Sequence, residues 1–135
     1  MLQYEARLLQ KFQGNAGYCQ MHWAGVEGEF NVLVMDLLGP TIEELFNFCE
    51  NKFSIKTVLW IASELVARIE AMHKQNFIHR DLKTENLCIG IGKKCSTIYL
   101  IDFGLSKRFK CPKSGMHVAE KRKNNVIGTL RFCST

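Results

Sequence analysis

The stretch "NFIHRDLKTENLCIG", residues 76–90, decides how this chain is read. A charged loop lies between two short apolar runs, "FI" (77–78) and "LCI" (87–89), which have the composition of strands. Moving a phosphoryl group from ATP requires three things: a carboxylate to take the proton of the accepting hydroxyl, a cation on the moving phosphate, and oxygen ligands for magnesium. Asp81, Lys83 and Asn86 supply those types in that order. A second carboxylate for the metal follows at Asp102, in "DFG" (102–104), sixteen residues after Asn86 and across one hairpin. Each of these residues alone reads as an ordinary turn residue. The full spacing H-R-D-L-x-x-x-N, then β-type sequence, then D-F-G, points to phosphoryl transfer.

Working outward, "LQYEARLLQKF" places Leu2, Ala6 and Leu9 at helical spacing, with Leu8 and Phe12 alongside, and Gly14 and Gly17 close the segment. From Tyr18 to Leu38 two strands are expected around the turn "GVEGE", the second being "FNVLVMDLL". Thr41 stands three residues before Glu44, the spacing of a capping box, so a short helix should run to about Cys49. A longer helix is expected from about Ser54, with Val58, Ile61, Ala62, Leu65, Val66, Ile69 and Met72 on one apolar face. "TIYLI" (97–101) reads as a strand ending at Asp102, and Gly90 to Ser96 as the preceding turn. Residues 103–135 show no useful periodicity and read as an extended segment that lies on another part of the protein.

A chain of 135 residues with 47% hydrophobic content makes one domain at most and can build a core. The net charge of +5 favours acidic partners. Six scattered cysteines, with no C-x-x-C pair, read as free thiols of a reducing compartment rather than a zinc site. Charges at Glu5, Arg7 and Lys11 interrupt the N-terminal apolar residues, and Asp36, Glu64 and Arg68 break the other apolar runs. Neither a secretion signal nor a membrane span is expected, and the reading is cytosolic or nuclear.

The sequence resembles the eukaryotic protein kinases and, among them, the casein kinase I family of Ser/Thr kinases. "NVLVMDLLGPTIEELFNFC", "RIEAMHKQNFIHRDLK", "IDFGLSK" and "GTLRF" follow that family's pattern in order, and no A-P-E motif occurs, as in that family. The resemblance implies an α+β, partial protein-kinase-like fold: helix C and the hinge strands of the N-lobe over residues 1–38, then the first helices and catalytic-loop hairpins of the C-lobe over 39–135. It implies ATP and Mg2+ as cofactors. Asp81 and Lys83 would be catalytic, and Asn86 and Asp102 would hold the metal. Glu5 would be the helix-C glutamate that pairs with an ATP-anchoring lysine. Met35 would be the gatekeeper, the backbone of Asp36 and Leu38 would bind adenine, and Cys88 and Ile101 would form the nucleotide floor. Thr129 would bond near Asp81. Arg131 would bind acidic or prephosphorylated protein substrates.

Several positions depart from the family pattern. Thr84 and Glu85 replace the usual Pro and Asp, Glu120 and Ile127 stand where Tyr and Thr are usual, and Leu130 replaces Ala. No glycine-rich loop precedes the catalytic loop, since the one G-x-G, Gly90 to Gly92, follows it and reads as a hairpin turn. The resemblance therefore places the phosphate cradle, its lysine and the later C-lobe helices outside these residues, and negligible kinase activity is expected of the isolated chain. The alternative is a truncated, non-catalytic remnant that binds intact kinase relatives or their regulators. A nucleic-acid role for Lys107, Arg108, Lys110, Lys113, Lys121, Arg122 and Lys123 is the weaker reading, because no aromatic residues interleave them for base stacking.

Overall fold

Helix α1 spans Leu2–Phe12 and buries Ala6, Leu8, Leu9 and Phe12, the apolar stripe expected from its spacing. This computed structural model describes residues 2–119 and 127–133. Glu120, Lys121, Arg122 and Lys123, named above, lie outside them. The next two elements form the expected antiparallel hairpin, β1 (Met21–Glu27) with β2 (Phe30–Met35), in a register that pairs Glu27 with Phe30 at the turn. Helix α2 (Ile42–Phe48) begins with the predicted capping box: the Thr41 hydroxyl accepts from Glu44 N–H at 3.1 Å, and the Glu44 carboxylate accepts from Thr41 N–H at 2.7 Å. That exchange satisfies two N–H groups that an uncapped helix start leaves without partners.

Helix α3 spans Ile55–Lys74, capped by Ser54, and it corrects the expected apolar face. Trp60, Ile61, Leu65 and Met72 turn toward the core, whereas Val58 is 52% and Val66 65% exposed. The position buried between Leu65 and Met72 is Arg68, at 7% exposure. The helix has rotated so that an arginine with backbone partners takes the central place, and part of the valine side faces outward.

Four short strands follow in two further sheets. β3 (Phe77–Ile78) pairs with β6 (Lys107–Arg108), and β4 (Leu87–Ile89) pairs with β5 (Ile98–Leu100), all antiparallel. A tight turn at Gly92–Lys94 joins β4 to β5, as expected of the G-x-G. Among the described residues, the segment after 103 forms more regular structure than the extended run expected of it. It contributes β6, a bridge between Lys110 and His117, and a short helical turn at Leu130–Phe132. The fold is α+β, with α1, α3, β4 and β5 meeting over one aromatic cluster. The Phe12 ring lies 5.2 Å from Tyr18, 5.8 Å from Phe77 and 5.4 Å from Phe103.

Candidate active site

The charged loop runs between β3 and β4, so two pieces of paired backbone fix its ends. Inside it, His79 is buried. Its Nε2 donates to the Ile101 carbonyl at 3.0 Å, and its Nδ1 accepts from Asp81 N–H at 3.3 Å. This pattern needs the neutral ring, and burial favours the same form by pushing the His79 pKa below its ordinary value. Arg80 then turns into left-handed backbone, φ +72°, with its Nε donating to the Leu105 carbonyl at 2.6 Å. The histidine ties the loop to the strand that ends at Asp102, and the arginine ties it to the segment that follows. Neither was assigned a role from sequence, although both stand inside the H-R-D motif.

Asp81 is only 8% exposed, yet each carboxylate oxygen has a partner. Oδ1 accepts from the Thr129 hydroxyl at 2.7 Å, and Oδ2 lies 3.1 Å from Lys83 Nζ. Lys83 Nζ also donates to Thr129 Oγ1 at 3.1 Å, closing a three-membered ring of contacts. Burial by itself would lift the Asp81 pKa, but the Thr129 hydroxyl and the Lys83 ammonium outweigh it and hold the carboxyl below its ordinary value. The same contact raises Lys83 above its ordinary value. Thr129 reaches this position because Gly128 takes φ +99°. A Cβ there would come within 2.6 Å of the Arg80 carbonyl oxygen. Gly128 is a site residue that the sequence reading passed over beside Thr129. An open cleft of about 600 Å³ borders Asp81, with Leu82, Ile127, Leu130 and Phe132 in its walls.

Asn86 and Asp102 flank this carboxylate from the two sides of the β4–β5 hairpin. Asn86 Nδ2 donates to the Asp81 carbonyl at 2.9 Å and lies 3.4 Å from Asp81 Oδ2. Among the described residues nothing donates to its Oδ1. Asp102 is exposed, holds φ +60°, and accepts from Gly104 N–H at 3.2 Å through Oδ1. A neutral amide oxygen and a carboxylate fit Mg2+, which takes few protein oxygens and completes its shell with phosphate and water. They suit no softer metal. Among the described residues no group of three or more His, Cys, Asp or Glu could hold an ion.

Glu5 reaches the same region from α1, where its Oε1 accepts from Phe103 N–H at 3.3 Å. Burial raises the Glu5 pKa, the Phe103 N–H opposes that rise, and the charge of Asp102 adds to it. Two backbone groups are open just after β2. Asp36 N–H is taken by the Gln20 carbonyl at 3.0 Å, whereas the Asp36 carbonyl and Leu38 N–H make no hydrogen bond among the described residues. Met35 packs against the core beside them, and Cys88 is buried on β4 opposite Tyr99. Ile101 ties the two motifs together, its N–H bonded to the Asn86 carbonyl at 3.0 Å. Arg131 stands apart from this set: it is exposed, with its guanidinium 5.6 Å from the Phe132 ring.

A family model described as a protein kinase domain matches residues 2–135, and the chain belongs to the protein kinase family. That family transfers phosphate from ATP with the help of Mg2+. No described helix is long and apolar enough to cross a membrane.

Proposed function

We propose that the chain carries the catalytic loop of a Ser/Thr protein kinase of casein kinase I type, transferring the ATP γ-phosphate to protein hydroxyls. The observation that carries this reading is the Asp81 carboxylate, kept ionised by Thr129 and Lys83 at the edge of an open cleft. In that state Asp81 orients the accepting Ser or Thr hydroxyl and takes its proton. Lys83, 3.1 Å away, offers its charge to the phosphate in transit. Asn86 and Asp102 would hold Mg2+. Bound there, the metal neutralises charge on the phosphate oxygens. The Asp36 carbonyl and Leu38 N–H would take the adenine edge, over Cys88 and Ile101.

The family resemblance adds acidic or prephosphorylated protein substrates, met by Arg131, and a cytosolic or nuclear setting. The alternative is a non-catalytic module that binds intact kinases or their regulators. The deciding experiment isolates the endogenous protein with an antibody to α3, measures its intact mass against 15.5 kDa, and assays Mg2+-dependent phosphate transfer to casein. The kinase reading expects a mass near twice that value and transfer that Asp81→Asn lowers by about 10²-fold or more. A mass of 15.5 kDa with no transfer overturns the kinase reading and favours the binding module.

A further inference from the structure

The strand that delivers Asp102 has no strand partner on one edge among the described residues, since β5 pairs only with β4. On that open edge, two side chains of α3 take the place of a strand. Arg68 Nε donates to the Ile98 carbonyl at 3.0 Å, and Glu64 Oε2 accepts from Ile98 N–H at 3.3 Å. One acceptor and one donor thus answer both backbone groups of a single residue, as a neighbouring strand would. The two side chains are themselves joined, Arg68 Nη2 to Glu64 Oε2 at 2.5 Å. One residue pair further along, Leu100 N–H bonds to the Gly17 carbonyl at 3.0 Å.

The same cluster reaches the end of α1. The Tyr18 hydroxyl, which is buried, donates to the Arg68 carbonyl at 2.6 Å. Gly17 passes so close that a Cβ would overlap Arg68 Nε and Cδ, and its φ of +77° makes the site unsuited to a side chain for a second reason. The elements bearing Glu5, Asp102 and Asp81 therefore converge on Arg68. α1 arrives through Gly17 and Tyr18, β5 through Ile98, and the catalytic loop follows four residues after the C-terminus of α3.

Stability alone is a poor reason for this arrangement. A buried ion pair is often matched or surpassed by apolar side chains of the same volume, because desolvation offsets most of the attraction. Direction is what an apolar pair cannot supply. A leucine and a methionine would fill the space but leave the Ile98 N–H and carbonyl free to shift along the helix.

We propose that Glu64 and Arg68 are positioning residues that lock the register of β5 against α3 and so set where Asp102 stands relative to Asn86 and Glu5. The inference rests on the kinase reading for its functional consequence, while its structural half stands alone. The test compares the chain with Arg68→Met, Arg68→Lys, Glu64→Gln and the double variant Glu64→Leu/Arg68→Met, all in the full-length protein. Two quantities are read on each: the affinity for a fluorescent ATP analogue with and without Mg2+, and hydrogen exchange at the Leu100, Ile101 and Phe103 amides.

The double variant is expected to unfold at a lower midpoint, since the buried Ile98 N–H and carbonyl lose their partners, to lose at least tenfold of the Mg2+-dependent gain in nucleotide affinity, and to exchange those three amides at least tenfold faster than the loss of global stability accounts for. Metal-free nucleotide affinity should change less than twofold. Arg68→Lys should recover part of the effect and Glu64→Gln most of it, since the amide still accepts. If the three amides keep their protection in every folded variant, or lose it only in proportion to global stability, the positioning role is overturned. Loss of amide protection in a protein that binds no nucleotide even unmutated would uphold the register lock and refute the kinase reading separately.

Discussion

Replacing Gly128 with alanine should detach Thr129 from Asp81, and the structure fixes how much that is worth. At φ +99° an alanine is strained by about 1–3 kcal/mol. Its Cβ would also stand 2.6 Å from the Arg80 carbonyl oxygen, closer than real Cβ atoms come. Arg80 cannot give way, because its own φ is +72° and its Nε is held by the Leu105 carbonyl at 2.6 Å. The segment 127–129 must move instead. Doing so forfeits the 2.7 Å bond from Thr129 to a charged carboxylate, about 1.5–3 kcal/mol, which is less than strain and overlap combined. The expected loss of unfolding free energy is therefore about 1.5–3 kcal/mol. Urea unfolding followed by the fluorescence of Trp23 and Trp60 reads it. The decisive version is a double-mutant cycle with Thr129→Val. In the parent, that substitution should cost about 1.5–3 kcal/mol; after Gly128→Ala, it should cost under about 0.5, because the bond is already gone. Asp81 should also titrate higher in both variants. Additive losses would show that Thr129 stays on Asp81 despite the added methyl, and the steric argument would be wrong.

Phe12→Ala should destabilise the chain by about 3–5 kcal/mol in the same urea assay, since the ring is fully buried against Tyr18, Phe77 and Phe103; a loss below about 1 kcal/mol would place the core elsewhere. Thr41→Ala should cost about 1 kcal/mol and speed amide exchange in the first turn of α2, with unchanged exchange arguing against the capping box. Burial lowers the His79 pKa, so below the ordinary value of 6.5 the unfolded chain gains a proton that the folded chain refuses until its own lower pKa. Stability should fall as pH drops through that window, by up to about 1.4 kcal/mol per unit, and His79→Gln should remove this component while its amide still donates to Ile101. Equal pH slopes in the two proteins would contradict the buried neutral ring.

The kinase family was legible in the loop from His79 to Asn86 because the chemistry proposed for it constrains residue type and spacing together. Asp81, Lys83, Asn86 and Asp102 could be named without knowing any contact. Thr41 and Glu44 were legible for a similar reason, since a capping box is local. The face of α3 was not. Periodicity shows that Val58, Leu65, Val66 and Met72 share a broad apolar arc, but which side of the arc is covered depends on neighbours far away in sequence. Arg68 read only as a charge that breaks an apolar run, because its partners, the Ile98 carbonyl and Glu64, come from a distant strand and a helical neighbour. β6 was missed because Lys107 and Arg108 have no strand-like composition. They pair because Phe77 and Ile78 lie opposite, with the Arg108 guanidinium 4.7 Å from the Phe77 ring. The left-handed backbone of Arg80 and Asp102 carried no signal either, since neither residue type favours it strongly enough to predict.

Those two left-handed residues bear on the order of events as the chain folds. An arginine at φ +72° and an aspartate at φ +60° sit uphill of their relaxed backbone shapes by about 1–2 kcal/mol each. Among the described residues no side-chain bond to a sequence neighbour holds Arg80 there. Its restraint is the Leu105 carbonyl, and that of the neighbouring loop is the Ile101 carbonyl, both on the far side of the β4–β5 hairpin. The loop from His79 to Asn86 is therefore expected to take its shape late, because the contacts that restrain it come from residues distant in sequence. A core assembled around Phe12 and Phe103 is expected to precede it. Mutations that slow the closing of that core should therefore delay the birth of the site more than that of any helix.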